Sequence, residues 1–208
     1  MTGTSSEASE SIFIGKHFRS ISMQKRILST AAIGLMAFLS TAAHAADGTI
    51  TITGSVTDTT CSINSTASGT AADVAVVLPT VQAGSLAAAG ATAGMSNLGD
   101  IRLMLSGCSG AATKAVARFE NGPTVDQSSG YLTNQASASP AQNVQVRLLN
   151  ANTQPINILT GGNNTLATNG ATITGGAATL NYFAQYYATG KAQPGNVNTS
   201  IQYTMQYQ

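Results

Sequence analysis

Reactive chemistry is scarce in this 208-residue chain. It has no tryptophan, two histidines and two cysteines, and only 8% of its residues are charged. Both histidines, His17 and His44, fall in the first 45 residues, so residues 46–208 contain none. Neither a Ser-His-Asp nor a Cys-His constellation can be assembled there, and a zinc site built on imidazoles is excluded as well. The same stretch has one glutamate, Glu120, and five aspartates at 47, 58, 73, 100 and 126. A carboxylate pair for glycoside chemistry would have to come from scattered positions such as Asp100, Glu120 and Asp126, which read instead as solvated turn residues. Gly161-Gly162 and Gly175-Gly176 lack the Lys-Ser/Thr of a phosphate loop and read as turns. The expectation is a protein that is not an enzyme, with no metal, no cofactor and no small-molecule substrate.

Long apolar runs are missing too. The longest, 27–39, covers about 13 residues, short of the roughly 20 a helix needs to cross a bilayer. It follows Lys25 and Arg26 and leads into Ala43-His44-Ala45. A charged start, an apolar centre and an A-x-A site are the layout of a secretory signal. Residues 1–45 therefore read as an N-terminal extension plus signal peptide, the signal itself being 23–45, with Met23 or Met1 as the start. Beyond the cleavage site, five basic residues (Arg102, Lys114, Arg118, Arg147, Lys191) against six acidic ones give a net charge of −1. No basic patch is available for nucleic acid. Export also accounts for the cysteines. Cys61 and Cys108 are an even count in a secreted chain, without C-x-x-C spacing, and read as a disulfide.

What the chain does have is short runs of period two, punctuated by Gly, Asn, Pro and Ser. Val74-Ala-Val-Val-Leu78 ends at Pro79, Ile101-Arg-Leu-Met-Leu105 at Ser-Gly-Cys108, and Ala115-Val-Ala-Arg-Phe119 at Asn-Gly-Pro123. Val144-Gln-Val-Arg-Leu-Leu149, Ile156-Asn-Ile-Leu159 and Ala178-Thr-Leu-Asn-Tyr-Phe-Ala-Gln-Tyr-Tyr187 follow. The 83–91 stretch allows one short helical turn before Gly90, and no other segment sustains a helical period. Eight or nine strands separated by turn chemistry predict an all-β sandwich in one domain.

The two ends are the most regular parts. In Ile201-Gln-Tyr-Thr-Met-Gln-Tyr-Gln208 the apolar residues Ile201, Tyr203, Met205 and Tyr207 share one face. In Gly48-Thr-Ile-Thr-Ile-Thr-Gly-Ser-Val56 one face carries Gly48, Ile50, Ile52, Gly54 and Val56, and the other only Thr and Ser. A long apolar edge of this kind invites another chain.

These pieces, with Cys61-Ser-Ile63, Ile101-Arg-Leu-Met-Leu-Ser-Gly-Cys108, Tyr182-Phe-Ala-Gln-Tyr-Tyr-Ala-Thr-Gly190 and Pro194-Gly195, resemble the structural pilins of chaperone–usher fimbriae, in particular type 1-like major subunits of Gram-negative bacteria. Gly195 stands fourteenth from the C-terminus and Tyr207 is penultimate, which matches the family's end motif. The resemblance implies an incomplete immunoglobulin-like β-sandwich that lacks its last strand and is completed by a strand from a neighbouring subunit or a chaperone. It implies three parts: the leader 1–45, a donor-strand extension 46–58 and a pilin domain 59–208. The donor would be Gly48, Ile50, Ile52, Gly54 and Val56. The acceptor groove and chaperone-binding set would be Gly195, Ile201, Tyr203, Met205, Tyr207 and Gln208. The implied partners are identical or related pilin subunits, a periplasmic chaperone and an outer-membrane usher, and the implied place is a fimbrium on the cell surface supporting adhesion. The alternative is a minor adaptor or tip pilin with an adhesin role. A tip adhesin would carry a lectin domain ahead of the pilin domain, and the donor segment starts two residues after the cleavage site.

Overall fold

The predicted period-two segments form two antiparallel sheets. The computed structural model describes residues 51–54, 56, 58 and 60–208. The expected leader, and Gly48 and Ile50 of the donor segment, lie outside them. In chain order the strands are β1 (Ser62–Ile63), β2 (Thr92–Ala93), β3 (Ile101–Ser106), β4 (Lys114–Phe119), β5 (Leu132–Thr133), β6 (Gln142–Leu149), β7 (Ala171–Thr172), β8 (Ala178–Gln193) and β9 (Tyr203–Tyr207). The larger sheet has the order β1-β3-β8-β6-β5, with β2 also paired to β8, and the smaller is β7-β4-β9. The 16-residue β8 is the spine, because β3 pairs with its first third and β6 with the remainder.

Alternation decides which side chains form the core. Leu103 and Leu105 from β3, Ala115, Ala117 and Phe119 from β4, Val146 and Leu148 from β6, and Leu180, Tyr182 and Ala184 from β8 all turn inward and are buried together. Phe119 and Tyr182 meet edge to face with ring centroids 5.1 Å apart, an arrangement aromatic pairs favour. The expected disulfide is present between Cys61 and Cys108, 47 positions apart in sequence. It ties the chain before β1 to the end of β3, and the loop-entropy estimate for that span is about 4 kcal/mol.

Two expectations are corrected. Ile156–Leu159 is not a strand. It makes isolated bridges, Leu149 to Pro155 and Asn157 to Gly162, because Ile156 and Ile158 are buried as plugs of the core from a turning loop. The 74–78 run, expected as a strand, has no ladder partners among the described residues. The expected helical turn appears as a 3-10 turn at Ala83–Leu86, and the 161–176 connection contains one unforeseen helical turn, α1 (Leu166–Asn169).

The connection between β4 and β5 is fastened by Asp126. Its Oδ1 accepts from Ser128 N (2.9 Å), Ser128 Oγ (2.6 Å), Ser129 N (2.8 Å) and Ser129 Oγ (3.1 Å). These bonds, the Ser128 hydroxyl foremost, hold the carboxyl down at about 2 against an ordinary 3.8. Gly130 closes the turn at φ +73°, where an added Cβ would lie 2.6 Å from Asn157 Oδ1. Since the folded carboxyl ionises below its unfolded value, its contribution to stability is complete above about pH 4 and is lost as pH falls towards about 2. Urea titrations of Asp126→Asn are expected to show a shallower loss of stability between pH 4 and 2 than the parent, and equal slopes would refute the assignment.

Candidate functional site

The inner faces of the two sheets do not close on one another along the edge of β9. β4 occupies only one side of β9. Lys114 and Gln208 exchange backbone bonds (2.9 and 3.1 Å) and Glu120 N donates to Gln202 O (2.9 Å). With the register Ala115–Tyr207, Ala117–Met205 and Phe119–Tyr203, the even residues of β9 spend their N–H and C=O groups on β4. In an antiparallel pair, the backbone groups of Tyr203, Met205 and Tyr207 then face the other way. No strand stands there among the described residues, since β9 ends its sheet. The same residues, with Ile201, pack their side chains against the core. Gln202, Thr204 and Gln208 are exposed.

Beside that edge runs a groove of about 1290 Å³. β9 is one wall, and the floor is core side chains of the larger sheet, among them Leu103, Leu148 and Tyr182. The opposite wall is the 68–78 segment, a turn at 68–70 followed by chain without ladder partners. Val74, Val76 and Leu78 of that wall are half-buried, whereas Ala75 and Val77 face solvent. Residues 71–81 make no backbone–backbone hydrogen bond to any described residue, although buried main chain is almost always paired. One polar link spans the groove: the Tyr203 hydroxyl donates to Ala72 O at 2.7 Å. Burial pushes the Tyr203 phenol above its usual pKa, and Asp73 adds to the shift. Burial also raises that of Tyr207. On the floor, desolvation pushes Tyr182 up to about 12. This cleft exceeds an ordinary small-molecule pocket, and it is apolar, elongated and flanked by two stretches of unpaired backbone. Its shape and chemistry are those of a slot for an extended peptide.

Of the anticipated acceptor residues, Ile201, Tyr203, Met205 and Tyr207 all line the groove. Gln208 stands outside its lining. Its carbonyl accepts from Thr113 N (2.5 Å), Lys114 N (2.9 Å) and Thr113 Oγ1 (3.2 Å), which pins the end of β9 to the start of β4. Gly195 also lies outside the lining and packs against the backbone at 139–141. A Cβ there would stand 2.5 Å from Pro140 C and Ser139 O, so this close approach admits glycine alone. Of the anticipated donor residues, Ile52, Gly54 and Val56 are exposed, Ile52 at 88% and Val56 at 102%. Sequence reasoning missed the 68–78 wall and the Tyr182 floor. The alternation of 74–78 just ahead of Pro79 was the available sign, because proline is confined to edges and strand ends.

The family model of the type-1 fimbrial protein, A, matches residues 78–208. The chain is 48% identical over 169 residues to the major fimbrial subunit SMF-1 of Stenotrophomonas maltophilia, covering 80% of this chain and 95% of that one. The chain belongs to the type-1 fimbrial protein family. It is likewise 38% identical over 181 residues to the F17 fimbrial protein of Escherichia coli, covering 85% of this chain and 96% of that protein. A solved chaperone–usher pilus subunit has the same fold, with TM-score 0.51 at 20% identity over 78% of this chain and 96% of the other. The incomplete immunoglobulin-like sandwich is thus the family's architecture. The chain is a fimbrial subunit and not an enzyme.

Among the described residues of this subunit the Tyr203–Ala72 bond is the single polar tie between the groove walls. Tyr203→Phe is expected to cost about 1 kcal/mol and to speed limited proteolysis within residues 71–78 without new cuts in β3 or β8. Unchanged cleavage of that segment would show that the tie holds nothing.

Proposed function

We propose that this fimbrial subunit is a shaft pilin that polymerises head to tail by strand addition. The donor segment 46–58 of one copy fills the groove beside β9 of the next, so that 59–208 is the pilin domain and 46–58 its extension. The observation that carries this reading is the pairing of two incomplete surfaces in one chain. β9 offers unspent N–H and C=O groups above an apolar floor, and Ile52 and Val56 project into solvent with nothing packed on them.

An inserted strand satisfies both open edges while its alternate side chains, Ile50, Ile52 and Val56, enter the floor, with Gly54 and Gly48 allowing close approach. Burying Ile52 and Val56 alone contributes about 3–6 kcal/mol gross, before main-chain bonds are counted. The arm and the groove are different surfaces, so the contact is heterologous. Without closure it propagates as a filament.

Until a neighbour arrives the groove needs a temporary occupant, the role of a periplasmic chaperone that also contacts Gln208 and the Gly195 region. An outer-membrane usher then passes the subunits to the cell surface, where the fimbrium supports adhesion. The match to a relative named as a major fimbrial subunit across 95% of its length favours a shaft component over a minor adaptor or tip adhesin.

Ile52→Asp should reduce sheared filament mass at least about tenfold, by the loss of one buried aliphatic anchor, while the chaperone-bound subunit keeps its melting temperature. Filaments at normal yield from Ile52→Asp, or from a chain lacking 46–56, would overturn the reading.

A further inference from the structure

An asparagine followed by glycine exposes its side-chain amide to attack by its own main chain, because glycine has no Cβ to shield the next peptide nitrogen. The sequence contains two such pairs, Asn121-Gly122 and Asn169-Gly170. Neither lines the groove, and the fold treats them in opposite ways.

Asn169 ends α1, and its surroundings hold both reacting groups apart. Gly170 N donates to Leu166 O at 3.1 Å, and Asn169 Oδ1 accepts from Thr165 N at 3.0 Å. Leu166 also crowds Gly170. The Gly170 nitrogen cannot reach the Asn169 amide unless this turn unwinds.

Asn121 stands just past the end of β4, outside any strand or helix, with its side chain exposed. Gly122 O accepts from Val125 N at 3.0 Å, but Gly122 N has no acceptor among the described residues. A Cβ on Gly122 would meet nothing within 4 Å, so the space beside that nitrogen is open. The Asn121 amide is held by Gln127, itself exposed. Gln127 Nε2 donates to Asn121 Oδ1 at 2.9 Å, and Asn121 Nδ2 donates to Gln127 Oε1 at 3.3 Å. The shorter bond places a donor on the oxygen that gains negative charge when Cγ is attacked.

We propose that Asn121 is a site of spontaneous deamidation through a succinimide, and that the fold protects Asn169 from the same reaction. Gly122 N attacks Asn121 Cγ, the N–Cγ bond forms and the Cγ–Nδ2 bond breaks, and ammonia leaves with the proton of Gly122 N. Water then opens the ring. Addition at Cγ restores the main chain and leaves an aspartate at position 121. Addition at the main-chain carbonyl leaves an isoaspartyl link, with the chain running through Cγ. Either product sets a new carboxylate beside Glu120, whose N–H fastens Gln202 O. Hydrolysis does not restore the amide, so the mark accumulates with a subunit's age.

The test holds the folded full chain in mildly alkaline buffer and follows both peptides by mass spectrometry, as a gain of about one dalton per converted amide. Asn121 is expected to convert at least about tenfold faster than Asn169, and in urea the two rates should agree within about twofold, since only the fold distinguishes them. Gly122→Ala suits a position with open space and no left-handed φ. It should keep the parent's melting temperature and slow conversion at Asn121 at least about tenfold, by shielding the nitrogen. No conversion at Asn121, equal rates at Asn121 and Asn169 in the folded chain, or a rate indifferent to Gly122→Ala would each overturn the proposal.

Discussion

Backbone hydrogen bonding on the far side of β9 is the constraint from which the rest of this subunit follows. A strand has two edges, and β4 satisfies one of them. The groups of Tyr203, Met205 and Tyr207 that face the other edge cannot be rotated towards β4 without moving their side chains to the opposite face, because both are governed by the same period of two. The nearest segment of the chain, 71–78, stays on the other side of a 1290 Å³ groove. Apart from Ala72 O, it leaves its own main chain without a partner among the described residues as well. The smaller sheet therefore stops at three strands, and the core beneath Tyr182 and Leu148 lacks part of its lid.

The two outer edges of that sheet are finished very differently. Past the two-residue β7, the free edge of β4 is completed by side chains: the Tyr182 hydroxyl accepts from Ala117 N at 3.1 Å, and Asn164 Nδ2 donates to Ala117 O at 2.8 Å. This is a standard way of blunting a strand edge with local groups. On the β9 side the only comparable device among the described residues is the Tyr203–Ala72 bond, which reaches across the groove without filling it. One edge is sealed by residues drawn from β8 and a loop, and the other is left open over apolar side chains. Such an asymmetry is what a docking edge requires, since an edge sealed on both sides could accept no strand.

Much of this was visible in the sequence, because a half-buried strand announces itself by alternation. β3, β4, β6, β8 and β9 fall within a few residues of the runs that suggested them, and the cysteine pair was readable from count and context. The failures have different causes. Ile156-Asn-Ile-Leu alternates as a strand does, yet its isoleucines plug the core from a loop, and period two cannot distinguish the two. β2, β5 and β7 have two residues each and exist only because a partner is presented to them. The groove's second wall escaped notice for the opposite reason. Residues 74–78 have a strand's pattern and no strand's bonds, and only tertiary placement shows that the missing bonds face a vacancy shared with β9.

An open edge is useful only if its register is settled before a partner arrives. In β9 a slip of one residue would put Gln202, Thr204 and Gln206 over the core floor and expose Tyr203 and Met205. The far end of the strand prevents this. Thr113 and Lys114 hold the Gln208 carbonyl with three donors, and Gln208 N answers to Lys114 O. Glu120 N on Gln202 O fastens the near end. Between these two ties every odd residue must face the groove and every even one must turn away from it. That is why Met205 lines the groove while Gln206, its neighbour in sequence, does not.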